Sequence, residues 1–215
     1  MSKIDDYSKL AAGAVGTGFR YPTIGRYNGN GAPGTHTDGR RMARGVNMSV
    51  DIQTADGNVF YADDVAAESN ADQFSNGTMS LTVDGLLPES ERMINGLPEE
   101  ELVAVGVKQV PITRTGDDSN SPNLGYGAIR VYESNGIELF RCIVLPKICF
   151  RQAGFDAETR TEQKNYQTQN LTADIMRIDS GKHDWRWLGA LYTTAEEAVA
   201  DLDALLGVPA EAANG

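Results

Sequence analysis

The chain is poor in the residues that carry most enzyme chemistry. It has two cysteines, two histidines and two tryptophans in 215 residues. A structural zinc site needs several nitrogen or sulfur ligands at regular spacing, and His36 and His183 lie far apart, in a loop and in a Gly-Lys-His-Asp turn. Cys142 and Cys149 are seven residues apart on one extended run. An odd spacing puts them on opposite faces, about 23 Å apart at the rise of a strand, so they are expected to be free thiols rather than a disulfide. No apolar run approaches the 18 residues of a membrane span. Met1-Ser2-Lys3-Ile4-Asp5-Asp6 has no apolar stretch behind it, so no signal peptide is expected, and cytoplasmic synthesis or assembly is.

Positive charge is also scarce. The net charge is −11, with 19 Lys and Arg against 30 Asp and Glu. The deficit is uneven: residues 1–50 carry seven basic and three acidic residues, and residues 51–215 carry twelve and twenty-seven. An acidic body argues against nucleic-acid binding, which rests on Lys and Arg contacts to phosphate. A basic arm on an acidic body can also drive head-to-tail self-association.

What the chain does have is alternation. Val46, Met48, Val50 and Ile52 oppose Asn47, Ser49, Asp51 and Gln53. Met79, Leu81 and Val83 oppose Thr78, Ser80, Thr82 and Asp84. Leu171, Ala173 and Ile175 oppose Thr168, Asn170, Thr172 and Asp174. Side chains on a strand point alternately to the two sheet faces, so each pattern reads as a half-buried β-strand. The polar faces are small and uncharged to acidic, with no Lys or Arg.

Further elements follow from local signals. Asp56-Gly57 predicts a hairpin returning through Val59–Ala62, and Ser134-Asn135-Gly136 predicts one joining a strand at 128–133 to a long strand, Ile137 to Phe150. Pro146 places an edge or bulge in that strand. Residues 63–76 read as a loop or ragged strand, 97–108 as a short helix or strand, and 184–192 as the last strand. Pro88 opens a short helix that Gly96 ends. Thr193 and Thr194 each precede a glutamate by three, which predicts a helix from Ala195 to Leu206, closed by Gly207 and Pro209. Val199, Leu202, Leu205 and Leu206 form its apolar stripe. Ser2 to Leu10 suits another short helix.

Residues 1–45, rich in Gly, Arg, Asn and Thr without sustained period, read as an extended N-terminal arm. Residues 46–208 read as a β-sandwich domain and 209–215 as a disordered tail. The arm interleaves Phe19, Tyr21 and Tyr27 with Arg20, Arg26, Arg40, Arg41 and Arg44, residue types enriched at protein interfaces. An exposed loop spans 113–125 and contains Asp117 and Asp118.

No catalytic constellation is evident. Gly16-Thr17-Gly18 lacks the third glycine of a dinucleotide fingerprint. Asp63-Asp64, Asp117-Asp118 and Glu99-Glu100-Glu101 are the nearest to paired catalytic carboxylates, and adjacent loop acids are ordinarily solvated surface. The expectation is a non-enzyme with no cofactor and no metal.

The order of pieces resembles the major tail protein (tail tube protein) family of long-tailed bacteriophages. The resemblance rests on Asn58-Val59-Phe60-Tyr61-Ala62-Asp63-Asp64, then Gly77-Thr78-Met79-Ser80-Leu81-Thr82-Val83, then Leu87-Pro88-Glu89. In the second half it rests on the long strand 137–150 and the Gln/Thr-rich stretch from Glu162 through Leu171 and Thr172. It covers roughly residues 46–205. It implies a mainly β fold, an antiparallel β-sandwich or barrel-like tail-tube domain with one or two short flanking α-helices. It also implies a structural virion protein of the phage tail, assembled in the host cytoplasm. Subunits would form hexameric rings stacked into a tube whose polar, acidic lumen conducts viral DNA without specific binding. Tape measure, terminator and tail-tip proteins would be the other partners, with no membrane involved.

On that reading two of the three polar faces line the lumen, with Asp51, Asp84, Asp174, Thr82, Thr172 and Asn170 as lumen candidates. Phe19, Arg20, Tyr21, Arg26, Tyr27, Arg40, Arg41, Arg44, Asp117 and Asp118 are candidates for contacts between subunits or rings. Alternatives are the tube protein of a contractile tail or secretion-type injection machine, and a β-sandwich binding or virion decoration module. For the last, Trp185 and Trp187, of equal parity on one strand, would form a platform. Packing under the C-terminal helix is the plainer account of that pair.

Overall fold

The computed structural model describes residues 3–4, 13–29, 31–55, 59–62, 65–69, 73–116, 119–152, 154 and 167–209, with the backbone alone at 59–62 and 65–69. The elements in chain order are β1 (Val15–Arg26), β2 (Thr37–Arg41), β3 (Gly45–Ala55), β4 (Val59–Ala62), β5 (Val65–Ser69), β6 (Gln73–Val83), α1 (Pro88–Asn95), β7 (Glu101–Val105), β8 (Lys108–Ile112), β9 (Asn123–Ser134), β10 (Ile137–Phe150), β11 (Gln169–Ile175), β12 (Trp187–Leu188) and α2 (Ala195–Leu206). Among the described residues the fold is mainly β, antiparallel, with two helices.

The main sheet runs β2-β1-β9-β10-β11-β6-β3, with β12 added to β10. It curls on itself. Tyr126 on β9 donates its hydroxyl to Met48 Sδ on β3 at 3.4 Å, although the two strands lie four places apart in the sheet order, about 19 Å if the sheet were flat. The concave side holds one apolar cluster: Ile24 from β1, Met79, Leu81 and Val83 from β6, Leu124 and Tyr126 from β9, Ile148 and Phe150 from β10, and Leu171 and Ile175 from β11. Helix α1 adds Met93 and Ile94. Its N1 proline and left-handed Gly96 (φ 62°) delimit it as the sequence predicts.

A second cluster lies on the convex side, where Ala198, Leu202 and Leu206 of α2 cover Ile129, Val131, Phe140, Cys142 and Val144. Strand β10 serves both clusters because of a bulge at Pro146. The register with β9 shifts between Leu145 and Ile148. Phe140, Cys142 and Val144 point outward before the shift, and Ile148 and Phe150 point inward after it. An extra residue inverts the alternation. The two cysteines therefore share the outer side of the sheet, not opposite faces as their spacing alone predicts, and both are free.

Two expectations are corrected and one open choice is decided. Residues 1–45 are not a separate arm: 15–26 and 37–41 are β1 and β2, and β1 pairs with β9 from Val15↔Glu133 to Arg26↔Leu124. Two register shifts in β1, with Tyr21 at φ 60°, erase its side-chain period. Strand β3 does not form a hairpin with β4. It pairs with β6, and β4 pairs with β5. The Asp56-Gly57 turn lies outside the described residues, as do most of 2–10 and 210–215. The ambiguous stretch after α1 is a β-hairpin, β7–β8, turning at Gly106 (φ 64°). Asn135 (φ 51°) and Gly136 (φ 76°) form the predicted tight turn between β9 and β10.

Candidate functional site: a continuous polar sheet face

The three polar strand faces merge into one. Strand β6 lies between β3 and β11, and the registers align their outward residues in rows. Asn47, Thr82 and Asn170 form one row, Ser49, Ser80 and Thr172 the next, and Asp51, Thr78 and Asp174 the third. Gln53 and Asn76 continue the edge. Thr82 Oγ1 donates to Asn170 Oδ1 at 2.8 Å across the ladder, and Gln53 donates to Asp51 on its own strand at 3.2 Å. The third row extends onto β10 and β9 through Cys149 and Asn123. The apolar residues between these positions on β6 and β11 are the buried core residues Met79, Leu81, Val83, Leu171, Ala173 and Ile175. The expectation that one of the three faces points elsewhere is replaced by a single surface three strands wide.

Two of the three candidate aspartates are already bound. Arg151, just past β10, donates to Asp174 at 2.6 Å, and Arg44 donates to Asp84 through both its backbone and its guanidinium. Burial alone would raise the Asp84 carboxyl, but the Arg44 hydrogen bonds outweigh it and hold the pKa below the usual carboxylate value. The face thus has arginines at its margins, contributed by residues outside the alternating runs, and each is held by an aspartate. Asp51 makes no ion pair among the described residues. Lys147 of β10 is mostly buried, held by Asp179 at 2.7 Å.

The aromatic and basic residues of the first 45 positions are engaged within the chain. The Phe19 ring packs against Gly45 of β3. Arg20 lies 4.0 Å from Glu138, Arg26 3.0 Å from Asp38, Arg40 2.7 Å from Glu89 and Arg41 2.7 Å from Asp203. Tyr27 donates to Asp179 at 2.7 Å, and the Arg41 guanidinium lies 5.5 Å from the Tyr21 ring centroid. Arg20, Arg40 and Arg41 therefore meet acids of the body inside one subunit, and Arg26 meets Asp38 within the segment itself. Asp117, Asp118, Asp63 and Asp64 lie outside the described residues. Trp185 and Trp187 do not form one platform. Trp185 stacks on Phe74 at 5.1 Å, and Trp187 packs beside α2, edge-on to His36 at 5.9 Å.

What the sequence reading missed is a groove. Among the described residues, strand β1 pairs with β2 only from Thr23 onward, which leaves its edge at 15–20 open, and β3 pairs only with β6. These two free edges face each other where the curled sheet fails to close. Between them is a groove of about 620 Å³ lined by Phe19, Val46, Met48, Val50, Ile52 and Trp185, among others. Val46 and Val50 are exposed. The signal was in β3 itself, where Met48 and Ile52 pack on the core but Val46 and Val50 stay exposed, with no closing strand over them among the described residues. Among the described residues no three His, Cys, Asp or Glu side chains group as a metal set, and no helix is long and apolar enough to cross a membrane. No protein-family model and no curated protein sequence matches the chain.

Proposed function

We propose that this chain is a self-assembling tube subunit of the kind it resembles, the major tail protein of long-tailed phages. In this reading, rings of six copies stack into a tail tube, and the polar face of β3, β6 and β11 lines a lumen through which DNA passes into the host. The observation that carries the reading is the merged face, with a free β3 edge at its margin. A sheet that ends on an unpaired strand is a template for pairing with another chain. Adding a strand from the next copy to that edge extends the wall from subunit to subunit around a ring.

The chemistry of the face suits passage rather than binding. Ser, Thr and Asn keep it wet, Asp51 repels phosphate weakly in water, and the exposed guanidinium groups of Arg44 and Arg151 are each neutralised by an aspartate. Retention of DNA would require several free cations, since affinity rises with each neutralised phosphate. Tape measure, terminator and tail-tip proteins are the further partners this reading supplies.

Negative-stain microscopy of the purified chain tests it. Rings or tubes are the expected outcome, and monomers at all concentrations would overturn it. A tube map that placed Asp51, Ser80 and Asp174 on the outer wall would overturn the lumen assignment. In an infectious particle, Ser80→Lys with Thr172→Lys should slow or stall DNA ejection while tubes still form.

A further inference from the structure

We propose that the groove between β1 and β3 receives the β7–β8 hairpin of a second copy of this chain, with β7 adding to the free edge of β3. The inference rests on the self-assembly reading above and names the surfaces that would carry it.

The hairpin is built like an interior element but lies outside. Strand β7 reads Glu-Leu-Val-Ala-Val, apolar on both faces, the pattern of a strand covered on two sides. Yet Leu102 and Val105 are exposed, and Val107 at the tip is fully so. Strand β8 carries Pro111, opposite Leu102. A proline cannot donate to a ladder and blunts its strand as a pairing edge, which leaves β7 as the strand able to pair.

The groove has the complementary deficits. Among the described residues no strand pairs with the outer edge of its β3 side, and Val46 and Val50 are exposed. Its β1 side is opened by Gly16 and Gly18, and nothing lies within 4 Å of where a Gly18 side chain would begin. The charges match as well. Arg130 and Arg186 line the groove, each lying over an aromatic ring (Tyr132 at 5.2 Å, Trp185 at 4.6 Å) with no ion pair among the described residues. The hairpin begins with Glu99, Glu100 and Glu101, and the first two make no ion pair among the described residues. An apolar strand with an acidic root thus meets an apolar slot with a basic rim. Strand addition of this kind draws affinity from backbone hydrogen bonds and specificity from the side chains between them.

The test uses the full-length chain in a Cys149→Ser background. Protein carrying Val105→Cys is mixed with protein carrying Val50→Cys, allowed to assemble, and treated with a short bis-maleimide. The expected product is a covalent dimer joining the two variants, absent when either is omitted. Val105→Asp should raise the concentration needed for assembly about tenfold or more, the effect of losing one buried valine, with an unchanged circular dichroism spectrum. Arg186→Glu should weaken assembly and Glu100→Arg in the same chain should restore it. Tubes that form normally with no cross-link, and with Val105→Asp as competent as the parent, would overturn the hairpin docking and leave the tube reading standing. A parent chain that never assembles would overturn both.

Discussion

Cys149 and Asp174 face each other across the β10–β11 ladder, on the outer side of the sheet. Partial burial raises the Cys149 thiol pKa, and the nearby Asp174 carboxylate raises it further. Cys142, fully buried under α2, is pushed up to about 11, chiefly by burial. The thiolate is the reactive form, so a neutral thiol reagent should modify one cysteine slowly and the other only on unfolding. Asp174→Asn should speed the first reaction and leave the second unchanged. Equal reactivity of both thiols in the folded chain would contradict this placement.

His36 supplies a pH dependence. It is buried beside α2, with Nε2–H donating to the Pro146 carbonyl at 2.8 Å. Burial lowers its pKa below the usual histidine value, and the hydrogen bond to Pro146 only partly offsets that. A group whose folded pKa is depressed is harder to protonate in the native chain than in the unfolded one. Its contribution is intact above the unfolded value, about 6.5, and is lost as pH falls through the folded value. Urea titrations should show stability falling from about pH 6.5 downward. His36→Gln should flatten that slope even if it lowers stability at pH 7.5, and an unchanged slope would remove His36 as its source.

The ion pairs of the N-terminal segment differ in weight. Arg41 and Asp203 are mostly covered and tie β2 to α2, with Arg41 also donating to Thr23. Breaking one partner of a covered pair leaves the other uncompensated, and Arg41→Met should cost about 1–3 kcal/mol, below the value for a fully buried pair. Arg20 and Glu138 are half exposed and 4.0 Å apart, and Arg20→Met should cost well under about 1 kcal/mol. Denaturant midpoints of the two variants check the contrast, and equal losses would contradict it.

The same residues show what the sequence could and could not disclose. Elements announced by local chemistry were legible: Pro88 and Gly96 bound α1, Gly207 ends α2, and Asn135-Gly136 turns β9 into β10. So were the three alternating strands. Strand β1 was not, because Gly16, Gly18 and two bulges remove the period that betrays a strand. The merging of the polar faces was not either, since it depends on β6 lying between β3 and β11, and Asp51 and Asp174 are brought to one row by topology alone. Arg44 and Arg151 escaped notice at that face because they sit outside the alternating runs.

Glycine contacts on the outer face give a packing prediction. A Cβ on Gly125 would lie 2.6 Å from the His36 ring, and one on Gly127 would lie 2.5 Å from Leu202 of α2. His36 is fixed by its bond to Pro146, whereas Leu202 is a flexible side chain within the helix stripe. Overpacking costs about 1–3 kcal/mol where neighbours cannot yield. Gly125→Ala should therefore lose more stability than Gly127→Ala in thermal melts. The second should be partly rescued by Leu202→Val, which shortens the opposing side chain, and the first should not.

The place of β1 in the sheet sets the last prediction. Removing residues 1–40 would delete Ile24 from the concave core, leave the β9 edge unpaired, and remove the histidine that α2 packs beside. Losing the core residue alone is worth about 2–5 kcal/mol, a large share of the stability of an ordinary domain. The truncated chain should lose its cooperative melt and aggregate through the exposed β9 edge. A soluble 41–215 fragment with the parental melting temperature would show that β1 is dispensable to the sheet. For the same reason failure of that fragment to form tubes reports on folding, and the contacts between copies are better read from single substitutions at Val105 and Arg186.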